Sequence, residues 1–236
     1  RTQLRKVGDL ERMTSRLAIG KLAPKEARQL AKSLSEANPI KTELAKNELT
    51  AHFGKALENN GPIIEVIEKT LQENPPVVIS KGNVIAAGIN QELDDLRSIA
   101  FSGKDYLIKL QQRESAATGI SSLKISYNNV FGYYLEVTNA HKDKVPSEWI
   151  RKQTLVNAER YITEELKEYE HKILGAEERI QSIELKLYNE LLEELTKYIH
   201  TIQKNAKALA EIDCLSTFAD NAIQFNYCKP EINQSN

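Results

Sequence analysis

Residues 155–180 read LVNAERYITEELKEYEHKILGAEERI, and two structural regimes meet inside them. Up to Ile162 the chain has the short polar and apolar alternation of a strand pair. At Thr163 it turns into a helix: the threonine hydroxyl can cap the first turn, and Glu164 and Glu165 fall at the positive end of the helix dipole. Leu166, Tyr169, Ile173, Ala176, Ile180, Ile183 and Leu187 then recur every three or four residues. Only Gly175 interrupts the pattern before about Ala222, so the spacing predicts one helix of about 59 residues, roughly 88 Å long. A stripe that narrow on a helix that long needs a partner along its length.

The partner is expected in residues 91–118. Asn90 can cap a helix carrying Leu93, Leu96, Ala100, Gly103, Leu107 and Leu110 at alternating spacings of three and four, and Gly119 supplies the stop. The segment between the two helices returns the chain to the same place, so they run antiparallel as an arm. The second half of the long helix, with Leu195, Ile199, Ile202, Ala206, Leu209, Ile212 and Leu215, is expected to pack on the N-terminal helices. There Asp9 caps a helix that stops near Gly20, Pro24 opens the next, and Asn38-Pro39 ends it. Pro75 to Ile79 and Val84 to Ala86, divided by Lys81-Gly82-Asn83, read as two extended pieces around a turn. The fold class is mainly α with a small β-rich insert: a helical bundle with a long antiparallel two-helix arm.

Residues 120–162 form the insert at the tip. Leu123, Ile125 and Tyr127 alternate with polar neighbours, as do Tyr133, Leu135 and Val137, with Asn128-Asn129 and Gly132 between them, which predicts a β-hairpin. A weaker pair is Gln153–Val156 with Arg160–Thr163. The tip holds six cations against four carboxylates, whereas residues 164–200 hold ten carboxylates and five cations. Lys152, Gln153, Thr154 and Asn157 offer four donors within six residues, a chemistry suited to phosphate oxygens. Tyr127, Tyr133, Tyr134 and Tyr161 on alternating strands are expected in the core rather than stacked on bases, and Trp149 as an anchor for a tip loop.

The balance of 32 Lys and Arg against 33 Asp and Glu excludes a polycation, so any basic surface is local. No apolar run reaches the roughly 18 residues of a membrane span, and the opening RTQLRKVGDLERM lacks a signal peptide's apolar block, which points to a soluble intracellular chain. Cys214 and Cys228 make no metal or disulfide framework. His52, His141, His171 and His200 have no metal-ligand spacing, and no catalytic constellation emerges among the scattered carboxylates. The chain is expected not to be an enzyme. From these residues alone, a coiled-coil spacer or partner-binding arm with no nucleic-acid role ranks first.

The 155–180 stretch, with Phe131-Gly132-Tyr133-Tyr134 and Arg151-Lys152-Gln153-Thr154 before it, closely resembles the MutS family of DNA mismatch-repair proteins. The resemblance extends from Gly8-Asp9-Leu10-Glu11-Arg12 through Gly88 to Asp94 and on to Ala210-Glu211-Ile212-Asp213. It implies a core or lever domain in residues 1–119, a clamp domain in 120–162 and the returning lever helix in 163–236. It also implies a parent that homodimerises around duplex DNA, uses ATP and Mg, and recruits a downstream repair factor, in a bacterial cytoplasm and associated with the nucleoid. By motif, Lys152 stands at a basic DNA-contacting position, Asn157 and Asn128 at other polar clamp positions, and Gln153 and Thr154 beside them. Neither the family's mismatch-reading Phe-x-Glu nor a GxxxxGK[ST] loop occurs here. No cofactor is expected in this chain, which reads as an interior fragment ending near Tyr227-Cys228-Lys229-Pro230, just before the ATPase. The clamp insert argues against the related MutS2 branch, which lacks it.

Overall fold

A computed structural model describes residues 1–228 and 230. In chain order its helices are α1 (Leu10–Ala18), α2 (Pro24–Ser35), α3 (Ala37–Leu44), α4 (Glu48–Lys55), α5 (Gly61–Thr70) and α6 (Gln91–Thr118). Strands β1 (Lys124–Asn128), β2 (Gly132–Thr138), β3 (Ile150–Thr154) and β4 (Ala158–Ile162) follow, then α7 (Glu164–Thr196) and α8 (Ile199–Phe225). The chain divides into two compact units: residues 1–89 with the chain from Glu184 onward, and residues 90–183. The mainly helical class with a small β insert is as the spacing predicts.

In the first unit, Asp9 caps α1 by accepting from the Arg12 amide at 2.9 Å, and Gly20 takes a φ of +65° just past its end. Leu10, Met13 and Leu17 are buried, as are Leu30 and Leu34 of α2 and Ile63 and Ile67 of α5. α8 packs on α1, as its apolar stripe requires. Buried Asn205 anchors it: the side-chain oxygen accepts from the Glu58 amide at 2.8 Å, and the side-chain nitrogen donates to Asn60 at 2.7 Å.

Three local expectations in this unit are overturned. Asn38-Pro39 does not end a helix but lies in the first turn of α3, where the missing proline N–H is one of the donors a helix start leaves unpaired anyway. Val84–Ala86 does not turn against Pro75–Ile79. Gln72 donates to Val84 at 3.0 Å and Ala86 to Thr70 at 2.9 Å, so the piece bridges to the end of α5. The fully buried Glu184 then accepts from the amides of Val84 at 3.0 Å and Ile85 at 3.4 Å.

The third correction concerns the single 59-residue helix, which is broken at Lys197-Tyr198. There the amides of Lys197 and Tyr198 reach back only three residues, to Glu194 and Leu195, and the Thr196 hydroxyl donates to the Glu193 carbonyl at 2.6 Å. A side chain that bonds the preceding turn competes with the helical ladder, and no glycine or proline is needed. The buried stripe restarts at Ile202 and Asn205, in phase with the contacts of α8.

In the second unit α6 and α7 run antiparallel. Asn90 caps α6 by accepting from Leu93 at 2.9 Å, Gly119 ends it at φ +66°, and Thr163 caps α7 by accepting from Leu166 at 3.1 Å. Ion pairs Glu92–Arg179, Lys104–Glu177 and Arg113–Glu165 flank the seam, and Tyr106 stacks on Tyr169 with ring centres 3.6 Å apart. The four strands form one antiparallel sheet in the order β1-β2-β4-β3. Leu135, Val137 and Tyr161 of its inner face join Trp149, Leu107, Leu110, Leu166 and Ile173 in one core. The second hairpin begins three residues earlier than the alternation suggests, and Gln153 is paired with Arg160.

A Cβ at position 103 would lie 2.5 Å from Ile173 Cγ1, whereas one at Gly175 meets nothing within 4 Å. Both are helix-interior glycines, where alanine gains about 1 kcal/mol in propensity. Overpacking costs about 1–3 kcal/mol. Gly103→Ala is therefore expected to lower the urea midpoint by the equivalent of about 1 kcal/mol, and Gly175→Ala to raise it by up to about as much.

Candidate nucleic-acid interface

The polar residues of the tip separate into two groups once the register is known. Lys152, Gln153, Thr154 and Asn157 belong to the β3–β4 hairpin, whose turn at Val156-Asn157 is closed by the Leu155 amide donating to Ala158 at 2.8 Å. Asn128 is elsewhere. β2 runs antiparallel to both β1 and β4, so the β1–β2 loop beside Gly132 and the β3–β4 turn beside Thr138 lie at opposite ends of the sheet. Six strand steps separate them, roughly 20 Å.

Within the first group the residues are not equivalent. β3 is an edge strand, and its register shifts between Arg151 and Gln153, which makes Lys152 the extra residue of a β-bulge. Bulges re-aim side chains and often lie beside functional sites. Lys152 is exposed, and so are Thr154 and Asn157. Gln153 is partly buried and accepts from Arg160 at 2.9 Å, so only its amide hydrogens remain for an outside partner. Asn128 accepts from the Val130 amide at 2.7 Å, which spends its oxygen on shaping the loop and leaves its amide hydrogens outward-capable.

Carboxylates inside the sheet neutralise the arginines. Arg160 donates to Glu136 at 3.0 Å and stands 4.4 Å over the Tyr134 ring, while Arg151 pairs with Glu159 at 3.3 Å. Glu159 also accepts from the Tyr161 hydroxyl, and that bond, ahead of the neighbouring Arg151, holds its carboxyl below the usual range. Burial, then the bond to Glu159, pushes Tyr161 up to about 12. Lys124, Lys142, Lys144 and Lys152 carry no ion pair among the described residues, though Lys144 donates to the Gly119 carbonyl at 3.2 Å. Trp149 and Tyr161 are buried together in the core, Tyr134 is buried under Arg160, Tyr133 is half-buried, and Tyr127 is exposed.

Asn139 was invisible as a site residue in the sequence. Its amide donates to the Asn157 carbonyl at 3.1 Å and its side chain to the Val156 carbonyl at 2.8 Å, fixing the turn by its backbone and leaving the Asn157 side chain free to reach outward. A polar residue one step past a strand end was the available signal. Among the described residues no cluster of His, Cys, Asp and Glu suits a metal, and no helix is long and apolar enough to cross a membrane. Both cysteines are exposed thiols, and Lys229 of the terminal motif lies outside the described residues.

Residues 88–179, which hold α6, the whole sheet and the first sixteen residues of α7, match MutS family domain IV. The DNA mismatch repair protein MutS of Parabacteroides distasonis is 55% identical over 99% of this chain. The MutS proteins of Phocaeicola vulgatus and Bacteroides fragilis are also 55% identical, over 99% and 98% of it. The chain belongs to the MutS family. It spans 27% of the length of these MutS relatives.

The tip of this MutS-type unit carries a titration signature. A tyrosine raised in the folded state supplies stability below its ordinary value of 10.0 and loses it as pH climbs toward about 12. Thermal unfolding midpoints are expected to fall over that interval, and less steeply in Tyr161→Phe. The depressed Glu159 contributes above the normal carboxylate range and loses its contribution as pH falls through its folded value. The same variant, lacking the hydroxyl donor, should therefore show a shallower acid limb as well. Unfolding followed by circular dichroism across both limbs checks this.

Proposed function

We propose that residues 120–162 grip duplex DNA through its phosphate backbone, as the clamp of a mismatch-repair protein, with the helices before and after them serving as its lever. The observation that carries this reading is the contrast on one hairpin. Arg151 and Arg160 are neutralised within the sheet, while Lys152 is exposed on a bulged edge strand without an ion pair among the described residues. Thr154 and Asn157 beside it have exposed side chains, and uncharged donors of this kind suit phosphate oxygens. On this reading the contact is to the backbone and is therefore independent of sequence and of mismatch.

Lys152, Thr154 and Asn157 form the principal contact, with the Gln153 amide at their side. Asn128, at the far end of the sheet, contributes separately. The wider roles are part of the same proposal. In the whole protein this region would work in a homodimer, in the cytoplasm with the nucleoid, and would couple the clamp to an ATPase domain that holds ATP and Mg and to recruitment of a later repair factor. The chain itself would catalyse nothing.

Each phosphate neutralised contributes about 0.9 to the slope of log affinity against log salt, so two to four tip lysines imply a slope of roughly −2 to −4. In fluorescence anisotropy, Lys152→Glu is expected to weaken matched and mismatched duplexes equally and to lower the slope by about 1. Asn157→Ala is expected to cost about 0.5–1.5 kcal/mol with the slope unchanged, because it removes an uncharged donor. Undiminished binding by Lys152→Glu at low salt would instead favour a spacer or partner-binding arm.

A further inference from the structure

Where the β1–β2 loop meets α7, a charged pair is bonded to the strand backbone. Glu170, 7% exposed, accepts from the Tyr133 amide at 2.6 Å. Lys167 donates both to the other Glu170 oxygen at 2.9 Å and to the Phe131 carbonyl at 2.8 Å. Two consecutive turns of α7 therefore hold the loop on either side of Gly132. The glycine is required twice: its φ is +76°, where a side chain is strained, and a Cβ there would overlap the Glu170 carboxylate.

A built-in ion pair is a poor device for stability, since desolvating two charges offsets much of their attraction. What it adds is direction. The core between sheet and arm is apolar, and apolar burial does not depend on orientation. Among the described residues the polar bonds that tie the strands to α6 and α7 are few: Gln111 accepting from Ile125 at 3.0 Å, and this pair. Among the described residues only the pair joins β2, the strand that carries the register of both β1 and β4, to α7.

We propose that Glu170, Lys167 and Gly132 form a latch that sets the attitude of the four-stranded sheet on the α6–α7 arm. They thereby act as positioning residues for DNA binding by the β3–β4 edge roughly 20 Å away. The second half rests on the clamp reading given above; the first does not. The latch touches no phosphate. Releasing it lowers affinity by reducing the fraction of molecules whose sheet is correctly presented.

The test uses the whole chain with Cys214→Ser and Cys228→Ser and spin labels at Phe101→Cys on α6 and Val156→Cys at the β3–β4 turn, positions 76% and 91% exposed. Glu170→Met with Lys167→Met removes both charges together, so no lone charge is left buried. Glu170→Gln is the milder variant should the double one fail to fold, and the near-ultraviolet dichroism of Trp149 reports on folding. The expected result is a label-to-label distance distribution about twice as broad as in the parent. Unlabelled protein should bind duplex DNA about fivefold more weakly, because the competent fraction falls to about a fifth, with the salt slope unchanged. Lys152→Glu should also lower affinity, but with a reduced slope and a distribution that stays narrow. A distribution as narrow as the parent's in the folded latch variant would overturn the positioning role, whatever happens to DNA. A broadened distribution with undiminished DNA affinity would overturn the link to binding. Undiminished binding by Lys152→Glu is a failure of the clamp reading and leaves the distance result to judge the latch.

Discussion

The close approach of α6 and α7 at Gly103 sets the geometry of the arm and of the sheet it carries. With no side chain at that position, Ile173 packs directly over the α6 backbone. Leu107 and Leu110 share one core with Leu166, and the inner face of the sheet closes over it with Leu135, Val137 and Tyr161. The flanking ion pairs have side chains roughly half exposed and contribute about 0–1 kcal/mol each. Their use is in register. Sliding one helix by a turn would part Glu92 from Arg179 and Lys104 from Glu177 together, so the charges oppose the shift that the apolar stripe alone would tolerate.

At the tip the same economy separates two kinds of cation. Arginine, with a planar fork, suits fixed networks, and both tip arginines are committed to carboxylates in the sheet, one of them also to an aromatic face. Lysine is a mobile point charge, and the four tip lysines carry no ion pair among the described residues. A surface built this way presents charge without fixed geometry.

Much of this was legible in the sequence, because it follows from local chemistry. The caps at Asp9, Asn90 and Thr163, the stop at Gly119 and the first hairpin all rest on residues within a few positions of one another. The clustering of Lys152, Thr154 and Asn157 was legible for the same reason. What escaped was set by partners distant in sequence. The break at Lys197-Tyr198 has no proline or glycine to announce it, and the return of Val84–Ala86 to the end of α5 depends on Glu184, about a hundred residues later. Asn128 and Asn157 both match polar clamp positions by motif, and only the antiparallel register shows them at opposite ends of the sheet. Glu170 was hidden among the acids of a solvated helix face, with nothing local to distinguish it from Glu168.

The bulge at Lys152 has a consequence beyond the lysine it presents. An open sheet ends in a strand with unpaired amides and carbonyls, and a flat one is a template on which a second chain can add. β3 is such a strand, at the exposed margin of the sheet. A bulge breaks the regular spacing that edge-to-edge pairing needs, and a lysine at the break adds charge repulsion between like copies. This tip can therefore stand against a neighbouring copy without the two sheets fusing into one, so the bulge protects the sheet from aggregation.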